Sequence, residues 1–391
     1  MSDPRDWMRR ATEAVAGFTS TGSKAPAAMF GGFGVPTHCV SAVDARVETD
    51  EGGSLLDWTM ALGAVGLGYR HSGVTNAVID AALGGAVGPL APTLEVVVAE
   101  RLKAVYPGAE RARFLKTGAE AVAAAVRLAR VATGRSGVVY CGYHGWLDGP
   151  TWGEGVPLEV SRLWRSTAFS DAGLLERVVR EVNPGAILLE PVIEREPGRE
   201  WLALARALAD ETGAVLIFDE IKTGFRLARG GAAERYGVRP DLAVLGKALA
   251  NGYPLAAVVG RADLMSRVSD TWISSTLATE FVSLAAANAV LDAWEGADVG
   301  AHLRRIGGRA MDALRPACGR AGVELVGLPE MFFLRFGADD AERERQFLME
   351  CRGRGVLLKR GPYNFPSLAH TEADVDETVR VVGEAFEALA P

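Results

Sequence analysis

The chain places an amine and a carboxylate at the ends of two apolar runs. Lys247 closes Leu242-Ala-Val-Leu-Gly-Lys247, 28 positions after Asp219, which ends the run Val215-Leu-Ile-Phe-Asp219 and is followed by Glu220. Runs this short and apolar are expected as buried strands, and in an open α/β sheet the strand ends face the ligand crevice. A nucleophilic nitrogen and a fixed negative charge in one crevice are what chemistry on pyridoxal phosphate needs. The amine forms a Schiff base with the cofactor aldehyde, and the carboxylate keeps the pyridinium nitrogen protonated so that the ring accepts electrons. A buried lysine is rare unless paired or catalytic, because desolvation disfavours its charged form.

Other groups fall at comparable positions. Lys116-Thr-Gly-Ala-Glu120 runs into the helical stretch Ala121 to Arg130, so its small turn offers either an ordinary N-cap or backbone amides for a phosphate at a helix start. Tyr143-His-Gly-Trp146 follows Val138-Val-Tyr-Cys141 and puts an aromatic ring at a strand end, suited to packing or to stacking on a planar cofactor. Glu190 ends Ile187-Leu-Leu-Glu190 on the same expected rim. Lys222, Arg226, Lys359 and Arg360 are candidate substrate anchors, with a structural or solvated charge as the alternative for each.

The elements that must position these groups alternate from about residue 95 to 260. Helices are predicted over Thr93 to Val105, Ala119 to Thr133, Ala172 to Val182 and Glu200 to Thr212. Strands are predicted over Gly137 to Cys141, Ala186 to Val192, Ala214 to Asp219, Leu242 to Leu245 and Ala256 to Gly260. Short strands apolar on both faces and separated by helices indicate an α/β domain with a mostly parallel sheet covered by helices. Helical periodicity returns over Val282 to Trp294 and Leu303 to Ala321. Strands then follow near Val323 to Val326, Met331 to Phe336 and Gly355 to Lys359, with a last helix over Glu372 to Leu389, the rhythm of a smaller α+β domain. Near the start, Gly31 to Gly34 with Pro36 reads as loop, and Val43 to Val47 with Leu55 to Trp58 as a hairpin around Asp50 to Gly53. The domain expectation is an N-terminal segment, 1–60, packing with a C-terminal small domain, 296–391, and a large domain over 61–295. Gly63-Ala-Val-Gly-Leu-Gly68 has the wrong glycine order for a dinucleotide loop and no βαβ unit around it.

With 391 residues, 49 % hydrophobic content and a net charge of −7, the chain is expected to be globular and large enough for two domains. Scattered Lys and Arg argue against nucleic acid and against an anionic membrane surface as partners. No apolar stretch reaches the length of a membrane span, and the first ten residues lack the apolar segment of a signal peptide, so the cytoplasm is the expected location. Cys39, Cys141, Cys318 and Cys351 and the five histidines are dispersed, which predicts free thiols and no metal site. No Gly-x-Ser-x-Gly elbow supports a serine hydrolase.

Asp219-Glu-Ile-Lys-Thr-Gly-Phe-Arg226, Tyr236-Gly-Val-Arg-Pro-Asp-Leu242 and Gly246-Lys-Ala-Leu-Ala-Asn-Gly-Tyr-Pro254 together resemble the signature block of the class III aminotransferases, in the glutamate-1-semialdehyde aminomutase branch. The resemblance covers nearly the whole chain, to Phe365-Pro-Ser-Leu-Ala-His-Thr371 and the helix after it. It implies a fold-type I pyridoxal phosphate transferase in which Lys247 carries the Schiff base and shuttles the proton, and Asp219 pairs with the pyridine nitrogen. It further implies that Ile221 packs on one ring face and Tyr143 on the other, that Thr117, Gly118 and Ala119 hold the phosphate, and that Glu190 lies near the ring hydroxyl. Thr276 matches a threonine that reaches the phosphate of the neighbouring subunit, implying a homodimer with shared sites.

The chain departs from the family pattern in four places. Its phosphate turn is Thr-Gly-Ala where Ser-Gly-Thr is usual, Thr279-Glu-Phe281 stands where the aminomutase has Gly-Asn-Pro, and the loops Gly149 to Arg165 and Ile193 to Arg199 are short. The expected activity is transamination from an amino donor to a keto or aldehyde acceptor by way of pyridoxamine phosphate. An isomerase using the same cofactor, an aminomutase or racemase, is the alternative, and a non-catalytic relative is opposed by the presence of both Lys247 and Asp219.

Overall fold

The computed structural model describes residues 4–32, 37–149 and 153–389. Two compact units divide the chain, Ser72–Gly300 in one and Met1–His71 with Ala301–Pro391 in the other.

In the Ser72–Gly300 unit, seven strands among the described residues form one sheet, numbered here along the chain as β1 (Arg111–Leu115), β2 (Val138–Cys141), β3 (Trp164–Ser166), β4 (Ala186–Leu189), β5 (Val215–Asp219), β6 (Leu242–Leu245) and β7 (Ala256–Gly260). The order across the sheet is β1-β7-β6-β5-β4-β2-β3. β7 runs antiparallel to both of its neighbours, and the neighbouring pairs from β3 through β6 are parallel. Every residue of β2, β4, β5, β6 and β7 is buried, as a sheet covered on both faces requires. On one face, alternate residues Tyr140, Leu188, Ile217, Val244 and Val258 meet the Gly118–Thr133 helix through Ala121, Val122, Ala125, Leu128 and Ala129. The alanines let that helix lie close. Each fully buried aliphatic side chain contributes about 1.5–3 kcal/mol relative to exposure.

Register aligns the strand ends into one rim. Cys141 pairs with Leu189, Leu189 with Phe218, and Asp219 with Val244, so the residues after β2, β4, β5 and β6 leave the sheet side by side. β2 leads outward to β3 whereas β4 leads the opposite way to β5, and the order of the sheet reverses between β2 and β4. Crevices for ligands form at such reversals.

Several expectations need correction. Gly149 to Arg165 is not all loop, because Leu158–Ser161 is helical and β3 begins at Trp164; residues 150–152 lie outside the described ones. The strand expected over Ala186 to Val192 ends at Leu189. β1, β3 and the Ser72–Leu83 helix were not anticipated.

In the other unit, Cys39–Val43, Arg46–Thr49 and Ser54–Asp57 form an antiparallel meander, with Val356–Leu357 parallel to the last of them. The expected hairpin around Asp50 to Gly53 is present, but its first strand starts at Arg46, because Asp44, at φ 53°, lies in the turn closing the preceding hairpin. Glu324–Leu328 and Met331–Arg335 make a second hairpin. Trp58, Ile306, Phe332, Phe347 and Val381 meet in this unit's core, where Trp58 Nε1 donates to Thr378 Oγ1 at 2.8 Å. Of the loop expected over Gly31 to Pro36, residues 33–36 lie outside the described ones.

Candidate active site

Lys247 follows β6 through Gly246 and begins a short 3₁₀ turn, Lys247–Ala250. Its φ of 48° is left-handed, a conformation that costs an L-residue about 1–2 kcal/mol and that persists where surrounding structure imposes it, often at functional sites. Burial and then the nearby charge of Lys222 lower its amine to about 8, against the opposing pull of Glu190 and Asp219. The lysine is thus nearly neutral under mildly alkaline conditions.

Asp219, at the end of β5, is buried, and its partners come from two directions. His144 Nδ1 lies 2.7 Å from Oδ2, and the Ile221 amide donates to Oδ1 at 3.2 Å. The other ring nitrogen, His144 Nε2, is 3.1 Å from the Cys141 carbonyl oxygen, so each ring nitrogen faces an acceptor. The imidazole is therefore fixed between the end of β2 and the carboxylate, where it offsets part of the cost of burying that charge. Sequence reasoning used Tyr143 from this turn and missed His144. The signal available was a histidine at a strand end, one residue after the aromatic.

Glu190 follows β4. Its Oε1 accepts from the Tyr143 amide at 2.7 Å, and its Oε2 pairs with Lys222 Nζ at 2.6 Å. Burial pushes this carboxyl up, but Lys222, His144 and the two hydrogen bonds together hold it below the ordinary carboxylate range. Close approach shapes the turn: a Cβ on Gly142, at φ 113°, would come within 2.7 Å of the Glu190 side chain. The Tyr143 ring itself is 71 % exposed on the rim.

The Thr117 turn caps the Gly118–Thr133 helix. Thr117 Oγ1 accepts from the Glu120 amide at 3.2 Å, and the Glu120 carboxylate accepts from the Thr117 and Lys116 amides at 2.9 and 3.1 Å. The Gly118 and Ala119 amides, first and second in the helix, have no carbonyl four residues back within it and stand at its positive end. Gly118 lies so close to the Ile221 side chain that a Cβ there would overlap Ile221 Cδ1, and a Cβ on Gly145 would come within 2.5 Å of Ala119 Cβ. Thr117, Gly118, Ala119, Ile221 and the Tyr143 turn are accordingly brought together.

Thr276 is exposed in a short 3₁₀ turn, Thr276–Thr279. Glu280, next after it, accepts from the Val282 and Ser283 amides and pairs with Lys116 Nζ. Of the candidate anchors, Lys222 is engaged by Glu190, and Arg226 is buried at 0 % exposure. Lys359 and Arg360 belong to the other unit, where Lys359 Nζ donates to the Arg360 and Pro362 carbonyls and Arg360 pairs with Glu344.

These residues fit pyridoxal phosphate. An amine poised for a carbonyl, a buried carboxylate backed by an imidazole, a helix start with free amides, and an isoleucine packed against the glycine of that start match an aldehyde, a ring nitrogen, a phosphate and a flat ring. A mostly parallel α/β sheet carrying that set on one rim defines a fold-type I pyridoxal phosphate enzyme. The chain belongs to the class III aminotransferases: the family model described as "Aminotransferase class-III" matches residues 34–150 and 174–386. Among curated relatives, glutamate-1-semialdehyde 2,1-aminomutase of Sorangium cellulosum is 35 % identical over 91 % of this chain and 90 % of its own length. The protein of the same name from Pyrobaculum islandicum is 32 % identical over 96 % and 98 %. Among solved structures, the pyridoxal phosphate internal aldimine form of Sphingopyxis sp. MTA144 FumI superposes with a TM-score of 0.93 at 27 % identity, covering 100 % of this chain and 97 % of that one. A β-phenylalanine aminotransferase from Variovorax paradoxus, at 23 % identity and a TM-score of 0.88 over 98 % and 94 % of the two chains, shares the fold. No helix among the described residues is long and apolar enough to cross a membrane.

Proposed function

We propose that this chain is an aminotransferase that moves an amino group from an amino donor to a keto or aldehyde acceptor. Lys247 attaches the cofactor and carries the proton to and from the substrate carbon. Asp219, oriented by His144, faces the ring nitrogen, while Ile221 and Tyr143 take the two ring faces. Glu190 lies beside the ring hydroxyl, and Thr117, Gly118 and Ala119 bind the phosphate. When bound, pyridoxal phosphate supplies the ring that accepts electrons from the substrate. A homodimer belongs to the same proposal, with Thr276 reaching the partner's phosphate. Its support is the apolar surface of the Ser72–Gly300 unit, where Trp272, Leu83 and Leu90 are 94 %, 83 % and 81 % exposed. Buried free thiols at Cys141, Cys318 and Cys351 agree with a reducing compartment such as the cytoplasm.

The observation that carries transamination over an internal amine shift is the Thr279-Glu-Phe281 segment. Glu280 is committed to capping a helix and to Lys116, where the aminomutase has Gly-Asn-Pro. The aminomutase names of the curated relatives favour the second reading, an isomerase working through the same lysine.

The deciding experiment adds amines and amino acids singly to the purified holoprotein, with Lys247→Ala as control. A donor that bleaches the visible cofactor band and releases its keto product in stoichiometric amount, with no response from the variant, is the expected outcome. Conversion of an amino aldehyde to its positional isomer with no separate keto product would establish the isomerase instead.

A further inference from the structure

The site holds a buried carboxylate, Asp219, and a largely covered one, Glu190, around one lysine that must be neutral to attack an aldehyde. A lone ammonium between two such acids would be kept charged by both. The structure gives each acid a partner of its own. Asp219 has His144 at 2.7 Å. Glu190 has Lys222 at 2.6 Å, both side chains being nearly inaccessible to water. The Lys222 pair is more than a surface contact, because Glu190 also receives the Tyr143 amide and packs against Gly142.

We propose that Lys222 is a positioning residue: it is the dedicated counter-ion of Glu190, and by occupying that carboxylate it leaves Lys247 free to act as the uncharged nucleophile that takes up pyridoxal phosphate. The charged groups bearing on Lys247 come from every strand end around it. Lys222, Asp219 and Arg226 follow or end β5, and Glu190 follows β4; His144, after β2, bears on Glu190. The two cations oppose protonation of Lys247 and the two acids favour it, so deleting Lys222 alone both removes an opposing charge and leaves Glu190 without its ion pair. Lys247 is then recruited as the replacement.

The inference rests on Lys247 being the amine that binds the cofactor, and the test separates the two ideas. The full-length protein is stripped of cofactor, and the rate at which the visible band returns on adding pyridoxal phosphate is followed against pH. Lys222→Met is expected to move the midpoint of that profile up by about one unit, which at a fixed lower pH is about a tenfold slower uptake. Lys222→Arg is expected to leave the midpoint in place, and Glu190→Gln added to Lys222→Met to bring it back down. A merely structural lysine would change the melting temperature without moving this midpoint. An unmoved midpoint in folded Lys222→Met, or no recovery in the double variant, overturns the proposal. Should Lys222→Met fail to fold, Glu190→Gln alone decides: a downward shift supports the proposal and an unchanged or raised midpoint refutes it. A covalent band in Lys247→Ala would instead refute Lys247 as the attachment point, whatever Lys222 does.

Discussion

The lysine's environment makes a directional statement about pH. Lys247 is lowered to about 8, by burial first and by the Lys222 charge second, so it is protonated below that pH and neutral above it. Only the neutral amine attacks, and cofactor uptake should therefore rise about tenfold per unit up to about 8 and level off beyond. Stopped-flow absorbance across that range checks the sign; a rate that falls with pH would contradict it. His144 offers a second test. His144→Phe removes the 2.7 Å partner of Asp219, and a lost hydrogen bond to a charged group is worth about 1.5–3 kcal/mol. Turnover should drop about ten- to hundredfold while Lys247 still takes up cofactor, which steady-state rates and the visible band report separately.

At the scale of the element, the Thr117–Ala119 turn proposed to bind phosphate is held both by the Thr117 cap and by the contact of Gly118 with Ile221. Gly118→Ala drives a methyl into Ile221, and overpacking of this kind costs about 1–3 kcal/mol. Weaker cofactor binding by equilibrium titration is the expected result, with partial rescue by Ile221→Ala. Thr117→Ala, which removes the helix cap, should lower stability by about 1 kcal/mol in denaturant unfolding. The buried strands were legible in the sequence because each is an unbroken apolar run: Leu242 to Leu245 and Ala256 to Gly260 were bounded to the residue. β1 and β3 were not, since edge strands carry charge at Arg111, Arg113 and Arg165 and edge charge erases the apolar pattern. Lys247 and Asp219 stood out as ionisable groups at the ends of such runs. His144 and the Lys222–Glu190 pair did not, because they are defined by meetings between residues 75 and 32 positions apart.

At the scale of the whole molecule, the proposed homodimer is testable through its apolar surface. Trp272→Asp with Leu277→Lys places charge at two exposed apolar positions of the Ser72–Gly300 unit. Sedimentation should then report a monomer that binds cofactor more weakly than the parent, whereas a parent that is itself monomeric would remove the shared-site proposal. The smaller unit has a separate consequence for how the chain is made. Residues 1–71 share their unit with 301–391, and Leu56 pairs with Val356 in a parallel ladder. During synthesis the first segment therefore emerges long before the strand it needs, while Ser72–Gly300 can complete itself in between. The ribosome-bound chain must carry the outer edge of Ser54–Asp57 without its Val356–Leu357 partner through most of translation, the period in which unpaired strand edges are most exposed to aggregation or to chaperones.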